Sequence, residues 1–146
     1  KAALDLYNLY DHTTLGDYVQ RLNDQAEDIN LKPGFVPGTT FWLVSENKDI
    51  LALSRLRHWL TPSLEDIGGH IGYTVRPSQR NKGYGTRLLA LTLERAKTLG
   101  LQPVLLTCDK DNTGSIKVIR NNGGKLTSEG VSPTSGKEIL RFWIDL

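Results

Sequence analysis

The sequence has few of the features that stabilise secreted scaffolds or anchor membrane proteins. Its 146 residues include a single cysteine, which excludes an internal disulfide. It contains no apolar run near the roughly 18 residues that span a bilayer, and no charged segment followed by an apolar one opens the chain as an export signal would. We therefore expect a cytoplasmic protein without membrane contact. The length suits one domain, residues 1–146, and 38% hydrophobic residues suffice for one compact core.

The net charge is also low, at +2, which by itself gives no reason to expect nucleic-acid binding. This value hides an uneven distribution along the chain. Residues 1–31 carry six acidic and two basic groups, whereas residues 76–125 carry ten basic and three acidic groups. Solvated helix faces are one explanation. The other is an anionic ligand bound by the basic middle and a cationic ligand near the acidic arm.

Hydrophobic periodicity and turn residues predict one mixed α/β domain. The N-terminal part reads as helical, with Thr14 as an N-cap, and two strands joined by a turn follow it. The predicted helices are 3–10, 15–29, 83–99 and 112–122, and the predicted strands are 39–45, 50–59, 69–75, 103–109, 125–129 and 137–144, with a loop over 60–66. The two glycines of strand 69–75 indicate a bulge or a close backbone approach.

The most informative segment joins a predicted strand to the longest helix, from Val75 to Thr86. The first turn of a helix leaves about four backbone N–H groups without partners, and these groups together with the helix dipole favour an anion such as phosphate. Gly83 and Gly85 remove Cβ atoms that would keep a pyrophosphate from the backbone. Basic residues surround the segment: Arg76, Arg80, Lys82 and Arg87.

Two common phosphate-binding motifs do not fit this segment. The dinucleotide fingerprint needs a third glycine where the chain has Leu88. The nucleotide P-loop needs Gly-Lys-Ser/Thr, and Gly124-Lys125-Leu126 departs from it.

A third pattern matches in two blocks. Arg80-Asn81-Lys82-Gly83-Tyr84-Gly85 resembles the Gln/Arg-x-x-Gly-x-Gly/Ala signature of GNAT-type N-acetyltransferases. The next block of that family has an asparagine that opens a helix and an Asn-Gly turn before the final strands. This block is similar to two downstream segments of the chain, residues 111–115 and 121–124. Residues 39–146, including 56–58 and 68–73, are similar to a bacterial predicted-acetyltransferase subgroup.

The resemblance implies a fold, a cofactor and an acceptor. The fold is a single α/β domain with a splayed, mostly antiparallel sheet flanked by helices, in which strands 69–75 and 103–109 part. The cofactor is acetyl-CoA, and the acceptor is an amine of an unidentified small molecule or peptide.

The resemblance also implies roles for individual residues. Backbone N–H groups of the phosphate loop, residues 80–86, would hold the pyrophosphate. Main-chain groups of Tyr73 and Val75 would pair with the pantetheine arm, and the Tyr73 N–H would polarise the thioester carbonyl. Asn112 would hydrogen-bond the arm, and Ser115 would be the small residue beside it. The cofactor-binding set is Tyr73, Val75, Arg80, Asn81, Lys82, Gly83, Tyr84, Gly85, Thr86, Asn112 and Ser115.

The usual acid and base of the family are missing. By spacing, the common glutamate base corresponds to Gly69 and the common tyrosine acid to Ile119. His70 is the neighbouring candidate base, since an ordinary imidazole pKa of ~6.5 suits proton transfer. A hydrogen-bonded structural role is the alternative for His70, and His58, Glu65, Asp66 or a water chain are other candidates for the base.

The remaining special residues have simpler explanations. Cys108 is expected to be a small buried residue rather than an acyl-carrying nucleophile. The histidines show no metal-ligand spacing, so no metal is expected. The three tryptophans, Trp42, Trp59 and Trp143, are expected to pack in the core or on the sheet.

Two other functions compete with catalysis. The missing acid and base favour a non-catalytic acetyl-CoA sensor or partner-binding module on the same fold. A nucleic-acid binder ranks last, because no aromatic residues interleave the basic loop. Edge-strand pairing leaves open a homodimer. The chain begins at Lys1 and contains no methionine, so we expect that it lacks the strand that usually precedes the first helix of this family.

Overall fold

A computed structural model describes residues 14–146 of the chain. It contains four helices and six strands among these residues, and a single 3-10 turn over Pro77–Gln79. The predicted helix 3–10 lies outside the described residues. The helices are α1 (Leu15–Ala26), α2 (Pro62–Asp66), α3 (Tyr84–Thr98) and α4 (Thr113–Asn121). The strands are β1 (Gly38–Val44), β2 (Ile50–Arg57), β3 (Ile71–Val75), β4 (Val104–Asp109), β5 (Lys125–Val131) and β6 (Glu138–Ile144).

Helix α1 begins where the sequence predicted it. Thr14 accepts a hydrogen bond from the Asp17 N–H at 3.1 Å, and the Asp17 carboxylate accepts one from the Thr14 N–H at 2.9 Å. This reciprocal capping box satisfies backbone donors at the start of the helix. The helix buries Tyr18 and Gln25, whereas Leu15 is 64% exposed.

The strands form two three-stranded sheets, with orders β1-β2-β3 and β4-β6-β5. All four pairings are antiparallel. β3 and β4 lie side by side but share no ladder among residues 14–146, so the sheet is divided between them. The predicted mostly antiparallel and splayed sheet is therefore confirmed.

The core lies where α3 and α4 cover one face of both sheets. Ser54 of β2 faces α3, where its Oγ lies 2.7 Å from Oγ1 of Thr92. Alternate residues of a strand face opposite sides, so the even-numbered residues of β2 point toward α3. The largest fully buried core side chains include Leu56, Leu89, Leu106, Ile119 and Phe142.

Two expectations about this part of the chain are wrong. Residues 62–66, predicted as loop, form the short helix α2, because Thr61 caps it by accepting from the Leu64 N–H and Pro62 occupies its first position. Trp59, predicted to pack in the core or on the sheet, lies beyond the end of β2 and is 50% exposed. Trp42 does lie on the sheet, on the edge strand β1, and is 36% exposed. No helix within 14–146 combines the length and apolarity needed to cross a bilayer.

Candidate functional site

The gap between β3 and β4 is lined by backbone groups of β3 that point away from β2. The Arg57 N–H donates to the His70 carbonyl at 2.7 Å, and the Arg76 N–H donates to the Leu51 carbonyl at 2.9 Å. Antiparallel pairs alternate between bonded and non-bonded positions, so the register places Tyr73 and Val75 at non-bonded positions. Their N–H and C=O groups are therefore directed toward the gap.

The phosphate loop continues this row of unpaired backbone donors. Among the described residues, the N–H groups of 81–86 donate to no protein acceptor, whereas the N–H of Arg80, which was predicted to hold the pyrophosphate with them, donates to the Pro77 carbonyl at 3.3 Å. The first N–H of α3 with a partner is that of Arg87, which donates to the Gly83 carbonyl. The loop is exposed at residues 80–83. Because α3 has 15 residues, its dipole adds partial positive charge at this end. The loop can therefore bind a phosphate-bearing anion.

The two glycines of the loop serve different purposes. Gly83 is the N-cap of α3 in a left-handed conformation, with φ 81°, which an L side chain rarely adopts. A Cβ on Gly85 would lie 3.2 Å from Cγ2 of Val118 on α4. Gly85 therefore allows α3 and α4 to approach closely, whereas the sequence had attributed its role to the approach of a pyrophosphate.

The loop side chains already make contacts within the protein. The Arg80 Nε donates to the Val75 carbonyl at 3.2 Å, and the Lys82 Nζ donates to Oε1 of Gln79 at 3.0 Å. The Val75 carbonyl thus faces the gap, as its register position requires, and accepts from the loop side chain. A ligand amide that pairs with this carbonyl would take the place of Arg80.

The start of α4 lies beside the gap, since Ser115 contacts the Tyr73 side chain. Oδ1 of Asn112 caps α4 by accepting from the Ser115 N–H at 3.0 Å. The amide NH₂ of Asn112 has no acceptor among residues 14–146 and is exposed, so it remains able to donate to a ligand.

Tyr73 crosses from β3 to this helix, a contact that sequence reasoning missed. Its hydroxyl lies 3.1 Å from Oγ and 3.3 Å from the carbonyl oxygen of Ser115. Burial raises the pKa of Tyr73 to about 12, although the hydrogen bond to Ser115 acts in the opposite direction. The phenol therefore remains protonated at neutral pH and is a hydrogen-bond donor beside the gap. Ile119, at the usual position of the acid, is 1% exposed in the core.

The gap is closed at its other end, where β3 and β4 begin. The His70 N–H donates to the Leu105 carbonyl at 2.7 Å, and the Leu105 N–H donates to Nδ1 of His70 at 3.0 Å. The Gly68 N–H donates to Oγ1 of Thr107 at 2.8 Å. A Cβ on Gly69 would collide with the Leu105 backbone. We call these five residues the sheet clamp; the predicted close backbone approach of this strand is seen at Gly69.

The other candidate bases have protein partners or lie on the surface. Nε2 of His58 lies 2.9 Å from Oγ1 of Thr39. The Asp66 carboxylate accepts from the Arg141 guanidinium at 3.3 Å, and Glu65 is exposed on α2. No three His, Cys, Asp or Glu side chains within 14–146 converge as metal ligands.

Cys108 has the properties of a structural thiol. It is 8% exposed in the core cluster. Burial and the nearby Asp109 carboxylate raise its pKa to about 11. Because the thiolate is the reactive form, such a group is a poor nucleophile at neutral pH.

Alkylation tests this assignment of Cys108. We expect the native protein to react with iodoacetamide at pH 8 roughly 100-fold more slowly than an unperturbed cysteine, since a pKa of about 11 leaves far less thiolate at that pH. Cys108 is the only cysteine, so the same protein in guanidinium is the matched control and intact mass is the readout. Equal rates in the two states would show that the thiol is accessible and that its pKa is not raised by the fold.

A sequence profile of the acetyltransferase (GNAT) family matches residues 3–123. The chain therefore belongs to the GNAT family. Members of this family use acetyl-CoA as their cofactor, in agreement with the expectation from the sequence. The donors of β3, the phosphate loop and Asn112 fit such a ligand, since an extended amide-bearing arm can pair with Tyr73 and Val75 while its diphosphate accepts from 81–86.

Two curated relatives of the GNAT chain share part of its sequence. They are L-methionine sulfoximine/L-methionine sulfone acetyltransferases from Pseudomonas paraeruginosa and Pseudomonas aeruginosa, each 36% identical over 72 residues. The match covers 49% of this chain and 40% of each relative. The chain thus spans less than half the length of the curated relatives that it matches.

Solved structures of GNAT proteins share the fold. A ribosomal-protein-S5-alanine acetyltransferase from Vibrio fischeri aligns with a TM-score of 0.67 at 14% identity, covering 93% of this chain and 77% of that protein. The protein yncA from Salmonella typhimurium, whose structure contains its cofactor acetyl-CoA, aligns with a TM-score of 0.65 at 17% identity, covering 96% of this chain and 78% of that protein.

Proposed function

We propose that this protein is an N-acetyltransferase that transfers the acetyl group of acetyl-CoA to a primary amine by direct attack. The observation that carries the proposal is a row of unpaired backbone donors, the N–H groups of Tyr73 and Val75 followed by those of 81–86, together with the free amide of Asn112 at the start of α4. The row is interrupted by the paired N–H groups of Arg76, Gln79 and Arg80. This row matches a ligand that joins a thioester, an amide-bearing arm and a diphosphate.

We assign the chemistry to groups at the open side of the gap. The Tyr73 N–H, directed into the gap by its register position, stabilises negative charge that develops on the thioester oxygen. The Tyr73 phenol, whose O–H donates to Ser115, exchanges that hydrogen bond for one to the sulfur that departs as the C–S bond breaks, in place of a residue at Ile119. The amine gives up its proton to water as the C–N bond forms. Acetyl-CoA supplies the activated acyl group.

The acceptor is proposed to be the amine of a small molecule, and free amino acids are the first candidates. The support is the 36% identity with relatives that are named for two amino-acid derivatives, L-methionine sulfoximine and L-methionine sulfone. Peptide amines are the second class, since a structural relative is named for an alanine of ribosomal protein S5. The cytoplasmic location and the homodimer remain predictions.

A second function, a non-catalytic acetyl-CoA sensor, is favoured by one observation. The only ring nitrogen of His70 that could accept a proton already accepts the Leu105 N–H, and Ile119 is buried in the core. His70, next to the usual position of the base, and Ile119, at the usual position of the acid, therefore make structural contacts instead of facing a substrate. Under this proposal the protein binds acetyl-CoA and turns over no amine.

Binding and turnover measurements distinguish the two functions. We expect titration calorimetry to show 1:1 binding of acetyl-CoA, with acetyl-pantetheine at least about 100-fold weaker because it lacks the diphosphate. CoA release is then measured with a panel of L-methionine sulfoximine, free amino acids, spermidine and an N-terminal alanine peptide. Turnover of any amine supports the enzyme, binding without turnover supports the sensor, and the absence of acetyl-CoA binding contradicts both.

A further inference from the structure

The sheet clamp contains a histidine whose geometry suits a role other than proton transfer. The main chain and the ring of His70 both bind Leu105 of the other sheet. The His70 N–H donates to the Leu105 carbonyl at 2.7 Å, and the His70 ring accepts from the Leu105 N–H at 3.0 Å. The His70 carbonyl accepts from the Arg57 N–H at 2.7 Å. His70 therefore joins β2, β3 and β4 at the point where the gap closes.

We propose that His70 is a positioning residue whose neutral imidazole fastens the start of β3 to Leu105 of β4 and so holds the gap at the width that acetyl-CoA requires. The inference rests on the proposed function, because the gap is taken as the acetyl-CoA site. Tyr73 follows His70 by three residues and lies on β3, which begins immediately after His70. A change in the contact at His70 therefore reorients the Tyr73 N–H that faces the gap.

The hydrogen bonds determine the tautomer of the ring. Nδ1 accepts the Leu105 N–H, so in the neutral ring the proton is on Nε2. Nε2 already carries a proton and cannot accept another, and the lone pair of Nδ1 is occupied by the Leu105 N–H. In this arrangement the ring is a hydrogen-bond acceptor toward β4, and it has no free lone pair for an amine proton.

The surroundings of the ring favour its neutral form. The Trp143 ring of β6 packs edge-on against it, with centroids 6.3 Å apart. Burial, followed by the charge of Arg57, lowers the pKa of His70 below its ordinary value of 6.5. The Arg57 guanidinium donates to the Gly68 and Gly69 carbonyls at 3.3 and 2.9 Å. Arg141 of β6 is the register partner of Thr107, and its guanidinium pairs with the Asp66 carboxylate of α2.

Protonation of His70 would break the clamp. An imidazolium donates from both nitrogens and cannot accept the Leu105 N–H. Because the pKa is lower in the folded protein, proton uptake favours the unfolded chain. The contribution of His70 is complete above pH 6.5 and is lost as the pH falls through the lowered pKa. Acetyl-CoA affinity is expected to fall over the same range.

Two substitutions separate positioning from proton transfer. In His70→Asn the side-chain oxygen can occupy the place of Nδ1 and accept the Leu105 N–H, but it cannot act as a base. In His70→Ala both functions are lost. We expect His70→Asn to keep the acetyl-CoA Kd and kcat within about threefold of wild type, and His70→Ala to weaken acetyl-CoA binding about tenfold, as expected for one lost hydrogen bond.

A spectroscopic measurement is independent of acetyl-CoA. In ¹⁵N-labelled protein at pH 7.5 we expect the His70 ring to carry its proton on Nε2, with its signal identified by loss in His70→Asn. We also expect the Leu105 amide to be protected from hydrogen exchange in wild type and in His70→Asn, and to exchange faster in His70→Ala. This readout remains valid even if the chain proves to have no acetyltransferase activity.

The alternatives give different results. If His70→Asn and His70→Ala both lose kcat about 100-fold or more with unchanged acetyl-CoA affinity, His70 is the base and the proposal is wrong. A proton on Nδ1, or wild-type affinity and Leu105 protection in His70→Ala, also overturns it. If His70→Ala does not fold, the deciding measurement is the acetyl-CoA affinity of wild type and His70→Asn from pH 5 to 8. A positioning role predicts that the affinity of wild type declines at acid pH and that the decline is smaller in His70→Asn. Parallel pH profiles of the two proteins contradict the proposal.

Discussion

Gly69→Ala is expected to lower the free energy of unfolding by about 2–5 kcal/mol, as the sum of left-handed backbone strain and overpacking. Gly69 has φ 60°, and an added Cβ would collide with the Leu105 carbonyl and lie 3.1 Å from Cα of Leu106. These atoms belong to the backbone of a buried strand, which cannot move as a flexible side chain would. The substitution therefore pushes β3 away from β4 at the sheet clamp.

A second glycine of the same segment is the matched control. A Cβ on Gly72 would have no atom within 4 Å, and Gly72 does not have a positive φ. We expect Gly72→Ala to change the stability by less than about 1 kcal/mol, in either direction. Urea denaturation followed by circular dichroism measures both variants. Equal midpoints would mean that the close approach of Gly69 to Leu105 does not constrain the fold.

The double substitution Arg80→Glu with Lys82→Glu is expected to raise the acetyl-CoA Kd on the order of 10- to 100-fold at low salt. Both side chains belong to the exposed phosphate loop beside the unpaired N–H groups of 81–86. Reversal replaces attraction for a diphosphate with repulsion, and because the loop is exposed the effect is screened by salt. Calorimetry at two salt concentrations measures the change and its salt dependence.

The control for this charge reversal lies at the far end of the same helix. Arg95→Glu with Lys97→Glu makes the same change in net charge in the last turn of α3. At about 0.1 M salt we expect acetyl-CoA affinity to change less than about threefold, since roughly 18 Å of helix separates these residues from the loop, more than the Debye length of about 10 Å. If both double variants weaken binding equally, overall charge rather than the loop attracts the cofactor.

The order of the elements and the family were predictable from local sequence. Thr14 with Asp17 marks a helix start, and Gly83 and Gly100 bracket α3 through backbone conformations that only glycine adopts easily. These signals act over a few residues, so the sequence carries them directly. The short helix α2 was missed because the proline that suggested a loop is also a favoured first residue of a helix.

The row of backbone donors was partly predictable. The phosphate loop was predicted because glycines and basic residues at the start of a helix favour a bound anion. The direction of the Tyr73 and Val75 backbone depends on their register with β2, which local sequence does not specify. Gly85 shows the limit of such reasoning, because its small size serves the contact of α3 with Val118 on another helix.

The sequence by itself determined the family, the cofactor class and the loop that would bind phosphate, because each depends on residues that are close together in the chain. Only the tertiary structure decided what His70 and Tyr73 contact. Their partners, Leu105 and Ser115, are 35 and 42 residues away. A histidine beside an expected base position is chemically suited to either role, and the lone pair that the Leu105 N–H occupies distinguishes them.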